Sequence, residues 1–282
     1  MDTPEPMFVR EVARIDNPPF VSGQAAGHRA RRLIDAPDAA VADPFVLMAE
    51  DWTSQGAFAF HPHRGMETVT FVIEGAIEHR DSAGFGGVIH AGGAQWMTAG
   101  RGIRHEENPP AGTTAHTLQL WVNLPAAEKM AVPRYQDLGA SALPVRNEDG
   151  VEVRVFSGAY GDMISPTLNH HPVTMLEVRV ENGGAFRHVF AGTDNAFVYV
   201  LEGAVEIGPS GDLLEANQLG WLTRSEVPGS SQLTVTARGN AGRFLLFAAQ
   251  PLREPIAFGG PFVMNTQAEI QQAFADYRAG RF

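Results

Sequence analysis

Short runs of apolar residues alternate along the chain with turns that are rich in glycine and proline. Valine, phenylalanine, threonine and tyrosine are frequent in these runs, which favours β-strands over helices. The first two clear strands meet at a Glu74-Gly75 turn. The clearest predicted strands are residues 68–73, 76–80, 86–90, 117–122, 151–156 and 174–180. The pattern therefore predicts an all-β protein.

The end of the chain has a different pattern, with apolar residues at helical spacing. Thr266 and Glu269 stand three positions apart and predict a capping box at the start of a helix. The residues expected on its apolar face are Ile270, Ala273, Phe274 and Tyr277, ahead of Gly280. We therefore expect one short amphipathic α-helix at the C-terminus.

An internal repeat divides the chain into two similar halves. VTFVIEGAIE at residues 69–78 matches FVYVLEGAVE at 197–206, an offset of 128, and QWMT at 95–98 matches GWLT at 220–223, an offset of 125. Two matched blocks with one small change of length indicate two copies of one β-module. We expect an N-terminal domain at residues 1–140 that carries the functional site and a C-terminal domain at 141–282 that includes the helix.

Composition narrows the chemistry. The 32 acidic and 21 basic residues give a net charge of −11, without a basic stripe of the kind that binds nucleic acid. Cysteine is absent, so disulfides and thiolate nucleophiles are excluded and any metal must be bound by nitrogen and oxygen. Lys129 is the only lysine, which leaves lysine-based covalent catalysis a single candidate, and we set it aside.

The distribution of apolar residues also bears on location. No apolar run reaches the roughly 18 residues of a membrane span, and the first residues lack the features of a signal peptide. We therefore expect a cytoplasmic protein that contacts neither a membrane nor nucleic acid directly.

Four residues of the first half form a candidate metal site. His61 and His63 are separated by one residue, as are His105 and Glu107, and alternate side chains of a strand point to the same face. Two such pairs on neighbouring strands would converge on one point. Three imidazoles and one carboxylate suit a divalent ion such as iron, nickel, copper, manganese or zinc.

Glu67 competes with Glu107 for the place of the carboxylate ligand. It has the same sequence parity as His61 and His63, and the spacing alone does not decide between the two acids. The Arg64-Gly65 pair can form a bulge that turns Glu67 away from the histidines.

In the second half, other residues occupy the positions that correspond to the candidate histidines. At the repeat offsets these are Val189, Ala191 and either Leu233 or Ser230. His188 lies one position out of register and would have no partner ligands. This comparison indicates a metal site that has specialised in one copy of a shared scaffold.

The other conspicuous polar and aromatic residues are expected to be structural or exposed. Glu106 should face away from the site and be solvated or paired with an arginine. The histidines in this group are His79, His90, His116, His170 and His171. The tryptophans expected in the core are Trp96, Trp121 and Trp221.

Four longer segments resemble the pirin family of the cupin superfamily. They are HPHRGMETVTFVIEG at residues 61–75, QWMTAGRGIRH at 95–105, LWVNLP at 120–125 and GPFVMNT at 260–266. The resemblance implies two cupin-type (jelly-roll) β-barrels facing each other, with one metal, usually iron, in the N-terminal barrel. It also implies the ligand set His61, His63, His105 and Glu107, which decides against Glu67.

The chain departs from the family pattern around these ligands. Met66 stands where relatives often carry phenylalanine, and Arg104 and Glu106 flank His105 where smaller or neutral residues are common. These departures bear on the substrate rather than on the metal.

The resemblance suggests two functions of different classes. Several pirins resemble quercetin 2,3-dioxygenases in activity, so the first hypothesis is Fe(II)-dependent opening of a flavonol-like ring by O2. In it Glu107 accepts the hydroxyl proton of the substrate, which binds the metal as an aromatic enolate or phenolate. The alternative is a non-enzymatic, iron-dependent redox regulator that binds a protein partner, such as a transcriptional complex or a metabolic enzyme. A closed, four-coordinate structural zinc site is the third option.

Overall fold

The computed structural model describes residues 7–23, 25–82 and 84–282. The two α-helices are α1 (Ala39–Ala42) and α2 (Gln267–Arg278), and single 3-10 turns lie at Ala36–Asp38, Ala126–Glu128 and Ala140–Ala142. The strands are β1 (Phe8–Val9), β2 (Val12–Asp16), β3 (Val21–Ser22), β4 (Arg29–Ile34), β5 (Phe45–Ser54), β6 (His61–His63), β7 (Met66–Glu74), β8 (Ala76–Asp81), β9 (Gly86–His90), β10 (Ala94–Thr98), β11 (Ile103–Asn108), β12 (Thr114–Asn123), β13 (Arg134–Leu138), β14 (Val145–Glu148), β15 (Val151–Ser157), β16 (Ala159–Tyr160), β17 (Met163–Ile164), β18 (Val173–Glu181), β19 (Ala185–Ala191), β20 (Asn195–Ile207), β21 (Asp212–Glu215), β22 (Leu219–Leu222), β23 (Ser230–Ala249), β24 (Ala257–Gly259) and β25 (Phe262–Met264).

The elements predicted from the sequence are confirmed. The six predicted strands correspond to β7, β8, β9, β12, β15 and β18, and the helix to α2. The capping box is present: the Thr266 hydroxyl accepts a hydrogen bond from Glu269 N at 3.2 Å, and the Glu269 carboxylate accepts one from Thr266 N at 2.8 Å.

The two repeated Glu-Gly turns have the same backbone conformation. Gly75 has a φ of 79° and Gly203 a φ of 70°. A Cβ at Gly75 would lie 2.5 Å from the carbonyl oxygen of Thr114, and one at Gly203 would lie 2.2 Å from that of Ala241. Both the conformation and the close approach require glycine, which explains why the repeat keeps it in each half.

The chain forms two compact units that exchange their terminal segments. One, the C-barrel, contains residues 143–251 together with the described part of the first segment, residues 7–17. The other, the N-barrel, contains residues 18–142 together with residues 252–282. The domain division predicted at residue 140 is contiguous and differs from this grouping at both ends of the chain. The first segment joins the C-barrel because β1 pairs with β23 and β2 with β22. The last segment joins the N-barrel, where α2 packs on β24 and β25.

The C-barrel is a continuous sheet with an apolar interior. Its strands run in the order β14-β15-β18-β23-β20-β22-β2, with β1 and β19 also pairing with β23 and β21 with β20. Arg10 fastens the first segment, because its fully buried guanidinium donates to the Ser231 hydroxyl and to four backbone carbonyls. Typical core residues are Val153, Val178, Phe186, Val198, Phe244 and Leu246.

The N-barrel is built from two sheets around a polar interior. A seven-stranded sheet has the order β13-β10-β7-β12-β5-β4-β3, and a four-stranded sheet has the order β6-β11-β8-β9. Polar residues occupy alternate positions of several strands and are buried; examples are Thr70, His79, Asp81, Gln95, His105 and Glu107. Burying so many polar groups is unfavourable unless each finds a partner or a ligand, so this interior is the place to look for a site.

Neither helix among the described residues combines the length and the apolar composition needed to cross a membrane.

Candidate metal centre

The three candidate histidines lie on two short paired strands of the N-barrel, β6 and β11. The strands are antiparallel, with His61 opposite His105 and His63 opposite Ile103. One ring nitrogen of each histidine lies within 4.8 Å of the other two. The ring centroids are 4.6 Å apart for His61 and His105, 4.8 Å for His61 and His63, and 5.1 Å for His63 and His105. The three imidazoles can therefore hold a metal ion.

The electrostatic environment keeps two of these rings neutral. Burial lowers the pKa of His63 and of His105 well below the usual value, and neighbouring histidines lower both further. The neutral imidazole is the form that binds metals. The buried nitrogens of His105 have no hydrogen-bond partner among the described residues, and those of His63 form no bond of normal geometry, although the Pro261 carbonyl opposes the lowering of the His63 pKa. Buried nitrogens without partners fit a metal site.

His61 is oriented from outside the cluster. Its Nδ1 is 2.8 Å from the carbonyl oxygen of Ala59, so Nε2 is the nitrogen free to face the other two rings. His61 is half-buried, whereas His63 and His105 are 2% and 0% exposed, so the site opens on the His61 side.

Glu107 follows His105 by two residues on β11 and is held by neutral donors. The Thr70 hydroxyl donates to its Oε1 at 3.0 Å, and the Gln119 amide donates to its Oε2 at 2.7 Å. Trp121 Nε1 in turn donates to the Gln119 oxygen at 3.1 Å. The group of close ligand atoms contains the three histidines, and the role of Glu107 as a fourth ligand stays a prediction.

Glu67 is directed away from the histidines. Its carboxylate is fully buried and accepts hydrogen bonds from Trp96 Nε1 at 3.0 Å and from the Thr98 hydroxyl at 2.7 Å. The change of face occurs between β6 and β7, where Gly65 has a φ of 82° and a Cβ would lie 2.0 Å from the Val263 carbonyl oxygen. The Arg64-Gly65 step therefore interrupts the alternation, as the sequence had left open.

Lys129 binds the backbone at the same Arg64-Gly65 step. Its buried Nζ donates to the carbonyl oxygens of Gly65 and Val263, each at 2.8 Å, and to Asn123 Oδ1 at 2.5 Å. Burial lowers the pKa of Lys129 to about 7, against the opposing effect of Glu254 and Glu269. The only lysine of the chain is thus a structural group beside the site.

Several residues near the site were not singled out from the sequence. Tyr135 stacks on His79 with ring centroids 5.2 Å apart, and its buried hydroxyl has no partner within the described part of the chain. Burial, with Asp81, Glu107 and Asp137, raises the pKa of Tyr135, so the phenol keeps its proton.

Thr70 and Gln119, the two donors to Glu107, were also not singled out from the sequence. They could have been found from their positions, because each is a polar residue at an alternating position of an otherwise apolar strand, which places both on the interior face.

The rim on the His61 side carries an aromatic residue. The Phe58 ring lies 6.4 Å from the His61 ring, whereas the exposed Phe60 ring lies beside Arg104, 6.0 Å from its guanidinium carbon. Asn108, at the end of β11, accepts a hydrogen bond from Gly56 N and donates one to the Phe58 carbonyl oxygen. The loop that carries the aromatic rim is therefore tied to the strand that carries His105 and Glu107.

Most of the residues expected to be structural or exposed are so. Glu106 pairs with Arg80, and His116 is buried between Glu50, at 2.6 Å, and the Trp52 ring, at 4.1 Å. His90 is exposed, His170 and His171 are half-exposed, Trp96 is fully buried and Trp221 is partly exposed beside Phe197.

Two residues of that group lie at the site instead. Trp121 is half-buried and its ring meets His63 edge-on at 5.2 Å, so it borders the cluster rather than filling the core. His79 is buried, with Nε2 3.4 Å from Asp137, and contributes to the lowered pKa of His105.

The C-barrel has a different arrangement on the corresponding strand, β19. Val189 and Ala191, which the repeat offset aligns with the ligands, are exposed, and His188 is the buried residue. His188 stacks on Phe190 with ring centroids 5.5 Å apart, and burial lowers its pKa to about 4. The structural correspondence is thus shifted by one residue, and the described residues contain no second group of three potential metal ligands.

Comparison with known proteins agrees with this architecture. The Pirin family model matches residues 29–122, and that of the pirin C-terminal cupin domain matches residues 175–282. A pirin-like protein of Solanum lycopersicum is 40% identical over 89% of this chain and 86% of its own length. The crystal structure of GK1651 from Geobacillus kaustophilus superposes with a TM-score of 0.85 at 41% identity, covering 88% of this chain and 99% of that one.

A second solved structure bears on chemistry. Quercetin 2,3-dioxygenase from Acinetobacter baumannii superposes with a TM-score of 0.85 at 32% identity, over 97% of this chain and 98% of that one. With the two matching family models and an all-β fold of two cupin domains, these similarities identify the family. The chain belongs to the pirin family.

Proposed function

We propose that the N-barrel binds one divalent metal ion, Fe(II) in the cell, and uses it to open a flavonol-like ring with O2. The observation that carries this proposal is the convergence of three histidines whose nitrogens lie within 4.8 Å of one another in a polar interior. The similarity to the Acinetobacter quercetin 2,3-dioxygenase supports the choice of reaction.

His61, His63 and His105 would hold the metal, with Glu107 as the fourth ligand. Four protein ligands leave two of about six octahedral positions for other molecules. When bound, the metal supplies Lewis-acid stabilisation of an enolate or phenolate oxygen and the redox chemistry that O2 requires. Three neutral imidazoles and one carboxylate give a divalent site a local charge near +1, which favours an anionic ligand despite the acidic protein.

Glu107 is the proton acceptor in this proposal. Its two oxygens are bound by the Thr70 hydroxyl and the Gln119 amide, which are neutral, so no cation among these donors neutralises the carboxylate. Each oxygen has a second lone pair, so one of the two can bind the metal and the other can accept the acidic hydroxyl of a substrate. The two donors fix the orientation of the carboxylate, which lowers the entropic cost of reaching a geometry that permits proton transfer.

The rim fits a planar aromatic substrate. Phe58 lies next to His61, with ring centroids 6.4 Å apart, and a flavonol ring can stack on such a side chain. The hydrogen bonds of Asn108 already hold the loop in place. Substrate binding therefore does not incur the entropic cost of ordering the aromatic rim.

The proposal is tested by oxygen uptake. Iron-loaded protein should consume O2 when quercetin is added, and His61→Ala and Glu107→Ala should abolish this turnover. His90→Ala, which replaces an exposed histidine outside the site, should behave as the wild type. A fully iron-loaded wild type that turns over no flavonol would refute the enzymatic proposal and favour the regulatory function.

A further inference from the structure

The segment after β24 runs beside the strand that carries His63. Strand β6 has only three residues, and beyond it Arg64 forms a parallel bridge with Phe262. Val263 N donates to the Arg64 carbonyl oxygen at 3.0 Å. Strand β25 thus holds the backbone immediately after His63.

The Arg64 side chain connects this segment to helix α2. Arg64 is 4% exposed, and its Nε donates to the Arg101 carbonyl oxygen at 2.6 Å. Its Nη1 donates to Asp276 Oδ2 at 2.7 Å, and its guanidinium lies 4.3 Å from the centre of the Phe282 ring. The Arg64 side chain thus joins the stretch before β11 to helix α2 and to Phe282.

Phe282 also reaches the second ligand strand. A Cβ at Gly102 would lie 3.0 Å from the Phe282 ring, so the ring packs directly on the glycine backbone. Gly102 immediately precedes β11, which carries His105. The Phe282 side chain thus contacts Arg64, which follows β6, and Gly102, which precedes β11, so it touches the ends of both strands that carry the histidines.

We propose that Arg64, Asp276 and Phe282 form a clasp that positions His63 for metal binding. The proposal rests on the metal site described above. None of the three side chains belongs to the ligand cluster, so the clasp acts through the backbone that continues from β6 into Arg64. Positional support of this kind commonly changes metal affinity by about 10-fold to 100-fold.

The clasp can be weakened while the helix stays docked. Helix α2 is anchored by Ile270 and Ala273, which pack with Phe262 independently of Asp276. Phe282 lies at the edge of the same cluster. Asp276→Ala and Phe282→Ala should therefore leave the N-barrel folded and lower its affinity for metal.

Binding of Co²⁺ to metal-free protein tests the clasp. Affinity is measured by competition with a chromophoric chelator, and ligand geometry by the visible d–d absorption of the bound ion. We expect both alanine variants to bind Co²⁺ about 10-fold more weakly with an altered d–d band. Phe282→Tyr, which keeps the ring on Arg64, should restore the wild-type values, and Arg278→Ala, an exposed change on the same helix, should leave them unchanged.

The outcomes separate the two proposals. Wild-type affinity and an unchanged d–d band in both alanine variants would overturn the clasp and leave the metal site intact. A folded wild type that binds no Co²⁺ would overturn the metal site itself. A third outcome is weaker Co²⁺ binding together with a lower thermal midpoint and an unchanged d–d band. It would identify the clasp as a general stabiliser and overturn its positioning role.

Discussion

Replacing Lys129 by methionine removes the group that joins three parts of the N-barrel. Methionine has a similar length and no donor, so the carbonyls of Gly65 and Val263 and the amide oxygen of Asn123 lose their hydrogen bonds. At about 2 kcal/mol for each buried acceptor the loss is about 6 kcal/mol. The fall in pKa from 10.5 to about 7 means that burying the ammonium costs roughly 5 kcal/mol at low pH, a penalty that methionine avoids.

The two contributions predict a destabilisation that grows with pH. Around pH 7 they nearly cancel, and we expect Lys129→Met to lower the free energy of unfolding by about 1 to 2 kcal/mol. The folded pKa lies below the unfolded one, so between about pH 7 and 10.5 the unfolded chain binds the extra proton and the wild type gains stability as pH rises. The difference should widen by about 1.4 kcal/mol for each pH unit in this window.

Urea unfolding of chelator-treated protein at pH 7, 8, 9 and 10 measures this difference. Tryptophan fluorescence follows the transition, and Met130→Ala, an adjacent exposed substitution, serves as the control whose effect should not vary with pH. A gap between wild type and Lys129→Met that stays constant, or narrows, as pH rises would mean that Lys129 remains an ammonium in the folded protein.

Three further substitutions probe the site and the fold. Gln119→Leu removes one donor to Glu107 and should lower flavonol turnover about 10-fold at unchanged iron content, as measured by oxygen uptake. Arg10→Met should destabilise the C-barrel by about 3 to 5 kcal/mol in urea unfolding, because several buried acceptors lose their donor. Glu67→Gln should keep wild-type Co²⁺ affinity in chelator competition, whereas Glu107→Gln should weaken it; equal effects would contradict the assignment of Glu67 to the other face.

The fold and the histidine cluster could be predicted because both depend on local alternation. His61 and His63 share a face through the geometry of any strand, and the repeat located their half of the chain. The choice between Glu67 and Glu107 could not be made in that way. It depends on the conformation of Gly65, which is fixed by its contact with Val263, almost 200 residues away.

Long-range packing also explains the other differences between the structure and the predictions made from the sequence. The exchange of terminal segments between the two barrels leaves no local signal, because strand β2 and helix α2 have ordinary patterns that any sheet or core could accept. The one-residue shift that exposes Val189 and buries His188 corresponds to one extra residue between His188 and the matched block that begins at Phe197. Trp121 borders the site because β12 turns one face to the polar interior, a distinction that hydrophobicity alone does not make.

The exchanged segments have a consequence for how the protein is made on the ribosome. Residues 18–142 emerge early, but the N-barrel also needs residues 252–282, which follow 110 residues after position 142. At about 5 to 20 residues per second, synthesis of that interval takes roughly 6 to 22 s. Throughout this delay the nascent histidine strands lack Asp276 and Phe282, so the proposed clasp predicts that full metal affinity is reached only after these residues have been made.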